Sequence, residues 1–394
     1  MRFLHVVPTY LPAVRYGGPI HSVHGLCAAL AARGHDVHVF TTNVDGPRDS
    51  DVPLDRPVTM DGVNVRYFPS TRMRRLYWSP PMARALQAEL SGFDVVHLHS
   101  VFLWPTWAAA RSARRRAVPY VLSPRGMMVK DLIQRKSRWL KRAWIGLIER
   151  QNLERAAAIH VTSRTEAAEL SRFRIKLPPV ITIPNGISLP EHVVGAASED
   201  VDALARHPAL ILFLGRINWK KGLDRLIPAM TAVPEAHLAI VGNDEEGLLP
   251  ALESSIDRHG VRGRVTVLNR VVGRTDRDRL MASAKVFALP SYSENFGNTV
   301  LEALAVGCPV VVTPDVGAAE VVRDSGGGLV VGGDPEIFGR ALRELLDNPA
   351  RAEMGARGRR FVTERFAWAS VAREMEQVYL HLVAAGRGEM RLAR

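Results

Sequence analysis

The chain has 394 residues, too many for one ordinary hydrophobic core, so its length favours two domains. Apolar residues make up 47% and charged residues 23%, the balance of a globular protein, and no apolar run is long enough to span a membrane. Two cysteines exclude a disulfide framework, and an N-terminal apolar run that ends at Pro8 is too short for a signal peptide. We therefore expect a cytoplasmic protein.

The positive charge is concentrated in the first half of the chain. Residues 1–190 contain 27 Lys and Arg against 13 Asp and Glu, whereas residues 191–394 contain 25 against 27. The asymmetry indicates an anionic partner of the first half, such as a membrane surface, a lipid-linked phosphate or nucleic acid. Solubility alone is the alternative explanation.

Strands and helices alternate along the first half. Short apolar runs predict strands at Phe3–Pro8, Asp36–Thr41, Val63–Phe68, Asp94–His99, Tyr120–Ser123, Ala158–Thr162 and Val180–Ile183. Helical periodicity lies between most of them, for example at Pro19–Ala32, Pro81–Leu90 and Trp139–Arg155. Such alternation produces a parallel sheet covered on both faces.

After a mixed segment, Leu189–Asp202, the alternation begins again. The predicted strands are Leu210–Leu214, His237–Val241, Arg264–Leu268, Val286–Leu289, Val310–Thr313 and Gly328–Val331. The predicted helices are Leu223–Met230, Leu248–His259, Arg277–Ala284, Thr299–Ala305 and Pro335–Leu346, with a last one at Val371–Leu382. The sequence thus predicts an α/β protein with domains at 1–190 and 191–365, whose ligands bind at the carboxyl ends of the strands.

Two glutamates lie where a predicted strand passes into a helix. Glu294 and Glu302 flank Asn295-Phe-Gly-Asn298, whose amides would lie at a helix N-terminus, where anions bind. A phosphate repels a neighbouring carboxylate, so both glutamates are better suited to accept hydrogen bonds from neutral hydroxyls. Phosphate beside many hydroxyls describes a nucleotide sugar.

Cations precede another helix in the segment Phe213-Leu-Gly-Arg216-Ile-Asn-Trp-Lys-Lys221-Gly222. The positive end of the macrodipole of a helix that begins at Leu223 would repel Arg216, Lys220 and Lys221. Helix propensity therefore does not explain why these cations are there. A bound diphosphate would, and fixed cations would then offset the charge of a departing nucleoside diphosphate without a divalent metal. The alternative is solvated surface charge.

Strand ends in the first half supply further candidates. Gly17 and Gly18 follow the first strand and allow close backbone approach to a ligand, or form an ordinary turn. His97 and His99 share a strand face, which permits metal binding, but no third ligand of suitable spacing is near, so we expect packing or a cleft-lining role. Arg125, in Ser-Pro-Arg-Gly, suits an anionic group.

Acidic and basic clusters in the sequence raise the question of metal, membrane and nucleic-acid binding. The Asp-x-Asp triplets at 49–51, 200–202 and 276–278 follow no buried strand, so we interpret them as solvated acids or helix caps, and expect no metal site. The segment from Arg135 to Trp144 combines five cations with two tryptophans. It resembles a helix that lies on a membrane surface; a domain helix with solvated cations and a nucleic-acid site are the alternatives.

The Arg216–Lys221 segment followed by the Glu294–Glu302 pair resembles the donor site of retaining glycosyltransferases of family 4, the group 1 family, and the resemblance covers nearly the whole chain. It implies the GT-B fold: two Rossmann-like doubly wound domains facing across a cleft, with the last helix, 366–386, crossing back to the first domain. It implies a sugar transferred from a nucleoside diphosphate donor to a glycan or lipid-linked acceptor in polysaccharide or glycolipid assembly. No cofactor, metal or nucleic acid would be needed.

The resemblance also implies roles for individual residues. Arg216 and Lys221 would bind the diphosphate, Glu294 the transferred sugar and Glu302 the ribose, and the first three would be catalytic. The full donor set would be Gly17, Gly18, Arg216, Lys221, Glu294, Asn295, Phe296, Gly297, Asn298, Thr299 and Glu302. His99 and Arg125 would lie on the acceptor side, with Arg125 where many family members have a histidine.

Other functions share this architecture. A soluble small-molecule acceptor, a sugar-nucleotide epimerase or hydrolase, a phosphorylase with pyridoxal phosphate, and a non-catalytic scaffold are the alternatives. The basic first half and Arg125 favour a protein at the inner face of the cytoplasmic membrane.

Overall fold

The computed structural model describes residues 1–13, 17–135, 144–188 and 196–392. The chain divides into two compact units, here called unit 1 and unit 2. Unit 1 comprises Met1–Gly186 and Trp368–Arg394, and unit 2 comprises Ile187–Ala367. The division after Gly186 falls near the boundary that we place at residue 190 from the sequence.

Unit 1 contains an eight-stranded sheet with the order β10-β9-β8-β7-β1-β2-β6-β5. Neighbouring strands are parallel except β5, which is antiparallel to β6. The strands are β1 Arg2–Val6, β2 Asp36–Thr42, β5 Val58–Met60, β6 Val63–Phe68, β7 Val95–His99, β8 Tyr120–Ser123, β9 Ala158–Val161 and β10 Val180–Thr182, with a separate pair β3 Val44–Asp45 and β4 Arg48–Asp49.

Helices cover both faces of this sheet, and its central strands β1 and β7 are buried except for Arg2 at the start of β1. They are α1 Gly18–Ala32, α2 Pro80–Glu89, α3 Trp104–Arg116, α4 Lys130–Arg135, α5 Arg150–Glu154, α6 Arg164–Ser171 and, from the end of the chain, α15 Trp368–Leu392. A π-helical turn at Ile145–Glu149 precedes α5. The chain continues from β1 towards β2 on one side and returns to add β7 on the other, so the switch point of unit 1 lies between β1 and β7.

The last helix, α15, packs against α1 and the sheet of unit 1. Trp368 is so close to two glycines that a Cβ atom on Gly25 would lie 2.2 Å, and one on Gly186 2.5 Å, from its ring. Glu376 accepts hydrogen bonds from Arg33 and His35. The helix that we predict at the end of the chain is therefore an integral part of unit 1.

Unit 2 contains a six-stranded parallel sheet with the order β13-β12-β11-β14-β15-β16. The strands are β11 Leu210–Leu214, β12 His237–Val241, β13 Val265–Leu268, β14 Val286–Leu289, β15 Val310–Val312 and β16 Gly328–Val330. The helices are α7 Glu199–Ala205, α8 Leu223–Ala229, α9 Leu249–Arg258, α10 Arg274–Ser283, α11 Asn298–Ala305, α12 Ala319–Ser325, α13 Pro335–Asp347 and α14 Arg351–Arg365. Here the switch point lies between β11 and β14, which are neighbours in the sheet.

Candidate functional site

The switch point of unit 2 brings together the two segments that the sequence singles out. Arg216 and Lys221 follow β11, and Glu294 follows β14. The carboxyl ends of adjacent parallel strands meet at one edge of a sheet, so residues 73 positions apart become neighbours. Lys221 Nζ contacts a carboxylate oxygen of Glu294, and their side chains are only 14% and 22% exposed.

Backbone contacts fix the segment that carries Lys221. Gly222 adopts a left-handed φ of 68°, and a Cβ atom there would lie 2.1 Å from the carbonyl oxygen of Pro290. The amide of Tyr292 donates to the carbonyl oxygen of Lys220 at 2.7 Å. A glycine is therefore required where the two loops cross, and the crossing places Lys221 against Glu294.

The loop after β15 fixes Glu294 from the other side. The amide of Glu294 donates to the carbonyl of Asp315 at 3.0 Å, and its own carbonyl accepts from the amide of Gly317 at 3.0 Å. A Cβ atom on Gly317 would lie 2.1 Å from the carbonyl oxygen of Asn295. Glu294 thus lies on a backbone held at both of its peptide groups.

Arg216 is held by a residue that sequence reasoning did not find. Its guanidinium donates to Glu245, after β12, at 2.7 Å, and both side chains are about one-third exposed. The Nδ2 of Asn218 donates to the other oxygen of Glu245 at 3.1 Å, whereas the buried Oδ1 of Asn218 has no hydrogen-bond partner among the described residues. No motif pointed to Glu245, because only the β11–β12 pairing brings it to this edge.

The predicted anion-binding turn leads into the N-terminus of α11. Gly297 precedes the helix with a φ of 91°, and no side chain caps the first turn. Asn298 and Thr299 are the first helical residues. The side chain of Phe296 is 3% exposed and belongs to the core, so only its backbone is available to a ligand.

Glu302 lies one helical turn into α11. Its carboxylate is 3.9 Å from Nε of Arg277, and its side chain is 31% exposed. Desolvation raises the pKa of Glu302, and the Arg277 guanidinium opposes that shift. The described contacts of Glu302 do not join it to Glu294. They do not test its predicted role in binding the ribose, which stays a prediction.

The Asp-x-Asp acids are engaged by arginines. Arg270 binds Asp200 and Asp276, and Arg279 binds Asp202. The triplet at 200–202 lies in α7, where Asp and Glu suit the first turn of a helix. In the triplet at 49–51, Asp49 ends the short strand β4 and pairs with Arg74, and Asp51 follows that strand. Both residues of β4 are exposed, so the strand that this triplet follows is not a buried one.

In unit 1 the predicted acceptor-side residues form direct contacts. Arg125 donates from Nε and Nη2 to Nδ1 of His99, at 3.3 and 3.1 Å, and from Nη1 to Oδ1 of Asn185 at 3.0 Å. His99 is buried and Arg125 is partly exposed. The contact of Asn185 is one that the sequence does not reveal, because Asn185 follows β10 and reaches Arg125, after β8, only through the fold of unit 1.

The expectation that His97 and His99 have no third partner is wrong. His5, on β1, lies beside them, and ring nitrogens of the three histidines lie within 4.8 Å of one another. His5 Nδ1 is 3.0 Å from His99 Nε2. The sequence conceals this contact because it depends on β1 and β7 being neighbours in the sheet.

The remaining first-half candidates are placed less completely. Gly17 has a φ of 70° and Gly18 begins α1, so the turn after β1 does need a glycine. The basic-aromatic segment falls mostly at 136–143, outside the described residues. Within the described residues no helix is both long and apolar enough to cross a membrane.

Two family descriptions match the chain: "Glycosyl transferase 4-like domain" over residues 17–186 and "Glycosyl transferases group 1" over residues 198–361. A D-inositol 3-phosphate glycosyltransferase from Xylanimonas cellulosilytica is 30% identical over 409 residues, which cover 96% of this chain and 95% of that protein.

Solved structures show the same architecture. Sucrose-phosphate synthase from Thermosynechococcus elongatus matches with a TM-score of 0.75 and 24% identity over 98% of this chain and 99% of that one. An Anabaena protein in complex with UDP-glucose matches with a TM-score of 0.73 and 18% identity over 96% and 99%.

Proposed function

Because the chain belongs to the glycosyl transferases group 1 family and has the GT-B fold, we propose that it transfers a sugar from a nucleoside diphosphate donor to a hydroxyl of a glycan or lipid-linked acceptor, with retention of anomeric configuration. Glycosyltransferase activity on a sugar-nucleotide donor follows from membership; the acceptor class and the stereochemistry are the proposal. The observation that carries it is the contact of Lys221 with Glu294, beside Arg216, at the switch point of unit 2.

We expect donor binding to change the ion-pair partners of Lys221 and Arg216. In the structure Lys221 contacts Glu294 and Arg216 contacts Glu245. The donor diphosphate takes both cations, which leaves Glu294 to accept hydrogen bonds from hydroxyls of the transferred sugar. Glu245 keeps a donor in Asn218 when Arg216 moves, so the exchange leaves no carboxylate without a partner.

Catalysis rests on stabilisation of the leaving group. As the glycosidic bond breaks, negative charge grows on the diphosphate, and Arg216 and Lys221 stabilise it most at that point. Amides at the start of α11, from Asn295 to Thr299, bind phosphate or sugar oxygens, and Glu302 binds the ribose. Attack on the leaving-group side gives retention, with a donor phosphate oxygen taking the proton of the acceptor hydroxyl.

The same cations make a divalent metal unnecessary. The acids of the Asp-x-Asp triplets at 200–202 and 276–278 are bound by arginines. No cofactor is required, since the leaving group carries the chemical driving force.

The acceptor binds unit 1 near Gly17, Gly18, His99 and Arg125. The similar enzyme whose name specifies D-inositol 3-phosphate supports an acceptor with an anionic group. Excess positive charge in residues 1–190 supports a cytoplasmic protein that works at the inner membrane face. Sedimentation with anionic but not zwitterionic vesicles tests this, and equal sedimentation with both would refute it.

A panel of UDP-, GDP- and ADP-sugars tests the donor assignment by thermal unfolding. A ligand that binds only the folded state raises the apparent melting temperature. We expect one nucleotide class to stabilise the parent and not the Lys221→Met variant. Stabilisation of both proteins alike would show that the donor binds elsewhere.

Product analysis separates the alternatives. A transferase releases nucleoside diphosphate only when an acceptor is added, whereas a hydrolase releases it without one and an epimerase releases none. Turnover of a soluble acceptor at full rate, without vesicles, would favour the small-molecule alternative.

A further inference from the structure

Four histidines are buried on β1, β7 and β9 of unit 1, and their hydrogen bonds define two chains. His5, His97, His99 and His160 are each at most 3% exposed. Burial, helped by the nearby Arg125 charge, lowers the pKa of all four below its usual value, to about 3 for His5 and His160. They are therefore neutral, with hydrogen on one ring nitrogen and a lone pair on the other, and their partners decide which.

The first chain begins at a carbonyl. The carbonyl oxygen of Ile183 can only accept, so His160 donates to it from Nε2 at 2.9 Å. Nδ1 of His160 must then accept from the Ser123 hydroxyl at 2.8 Å. Because that hydroxyl has one hydrogen, it accepts from Nε2 of His97 at 2.7 Å, and Nδ1 of His97 accepts from Tyr379 at 2.6 Å.

The second chain begins at a guanidinium. Arg125 can only donate, so Nδ1 of His99 is an acceptor. Nε2 of His99 therefore carries its hydrogen and donates to Nδ1 of His5 at 3.0 Å. His5 then carries its hydrogen on Nε2, which is buried and has no hydrogen-bond partner among the described residues, so all four imidazoles are the Nε2–H tautomer.

These tautomers argue against a metal at the three clustered histidines. A metal needs lone pairs that converge, but Nε2 of His99 carries hydrogen and both ring nitrogens of His97 have partners. If Nε2 of His99 bound a metal, Nδ1 would have to carry the hydrogen and could no longer accept from Arg125. The metal ion and the Arg125 guanidinium would then be two positive charges close together. Instead, the hydrogen bonds of the second chain leave the lone pair of His99 Nδ1 directed at Arg125.

Arg125 keeps its charge available for a ligand. An arginine has five N–H groups that can donate hydrogen bonds. In Arg125, the Nε–H and one N–H on each terminal nitrogen donate to neutral acceptors on His99 and Asn185. Two N–H groups, one on each terminal nitrogen, are left for a ligand. Among the described residues no carboxylate lies within ion-pair distance of Arg125; the buried carboxyl of Glu166, which accepts from the amide of Gly126, is an opposing charge that acts on Arg125 without contact. The backbone around it is strained, with left-handed φ angles at Ser100, Phe102 and Arg125, the positions that follow β7 and β8.

We propose that His99 is a positioning residue, oriented by His5, that holds the Arg125 guanidinium to bind an oxyanion group of a substrate. The group is a phosphate or carboxylate, and it belongs either to the acceptor or to the transferred sugar. This inference deepens the proposed function and rests on it for the identity of the substrate, but the state of the histidines can be tested without any substrate.

The first test is long-range ¹H–¹⁵N spectroscopy of the full chain labelled at histidine. We expect four neutral Nε2–H tautomers, unchanged by stoichiometric zinc. Titration with inorganic phosphate should shift the ring signals of His5 and His99 in the parent. In the Arg125→Met variant the same signals should not move. Nδ1–H tautomers at His99, zinc ligation by these rings, or no phosphate response in the parent would overturn the inference.

The second test separates binding from turnover. Asn places an acceptor oxygen near the position of Nδ1 and Leu does not, so His99→Leu should raise the KM of one substrate by about tenfold with kcat changed far less, and His99→Asn should recover most of that loss. An increase in the acceptor KM assigns the oxyanion to the acceptor, and an increase in the donor KM assigns it to the sugar. A fall in kcat alone, equal in both variants, would contradict positioning. Absence of any transfer, with the expected tautomers, would refute only the proposed function.

Discussion

At the scale of single residues, the Lys221–Glu294 contact joins the two segments that the sequence identifies separately. A lysine against a carboxylate is an ordinary ion pair, but this one lies at the edge where ligands of parallel sheets bind. Both partners are mostly buried, so a competing diphosphate would meet a cation that is already desolvated. This makes the pair the best place to test the proposed chemistry.

Replacement of Lys221 by Met should lower kcat by about 10²–10³-fold, because a cation that stabilises the leaving group acts mainly in the transition state. Lys285→Met is the matched control: it removes an exposed lysine at the amino end of β14, the opposite edge of the same sheet. Steady-state kinetics should show the control at the parent rate. Equal losses in the two variants would mean that Lys221 contributes only general charge.

Gly222 tests whether the crossing of two loops positions that lysine. Gly222→Ala puts a Cβ atom 2.1 Å from Pro290 O, whereas Gly247, also left-handed with a φ of 73°, has nothing within 4 Å of that position. Gly247→Ala should cost about 1 kcal/mol for the backbone conformation alone, and Gly222→Ala clearly more. Denaturant unfolding measures the difference; equal costs would show that the loops separate easily.

At the scale of elements, the sequence predicts where most of the strands lie along the chain, but not which strands are neighbours in the sheet. Apolar runs locate the principal strands of both units, because buried parallel strands are apolar throughout. The contacts that matter for function arise from strand order: β1 beside β7 brings His5 to His97 and His99, and β12 beside β11 brings Glu245 to Arg216. No periodicity encodes strand order, so these contacts could not be predicted from one sequence.

The last helix shows how a distant element completes a unit. Trp368→Ala should destabilise unit 1 by about 1.5–3 kcal/mol, because the partly buried ring fills the space left by Gly25 and Gly186. Leu380→Ala, on the exposed face of the same helix, should change stability by less than about 0.5 kcal/mol. Chemical denaturation of the two variants provides the comparison, and similar small losses would show that α15 is not needed for folding.

At the scale of the whole molecule, the buried histidines couple stability to pH. In the unfolded chain they bind protons below about pH 6.5, but in the folded chain His5 and His160 have a pKa of about 3. The unfolded state therefore binds more protons between these values. Stability is complete above pH 6.5 and falls as the pH is lowered towards 3.

Each such histidine should contribute about 1.4 kcal/mol per pH unit to the fall in unfolding free energy. Urea titrations between about pH 4 and 5.5, where the unfolded histidines are protonated and the folded ones are not, measure the slope, and a His5→Asn, His160→Asn variant should show a shallower one. An identical slope in parent and variant would show that other groups dominate the pH dependence.

In the proposed reaction, fixed cations of unit 2, and not a divalent ion, offset the charge of the departing nucleoside diphosphate. The direct measurement is the rate of sugar transfer after exhaustive treatment with EDTA, in parent and Lys221→Met proteins. We predict that EDTA leaves the parent rate unchanged and that the variant is slow with or without added Mg²⁺. Loss of parent activity in EDTA, with recovery on addition of Mg²⁺, would contradict the account.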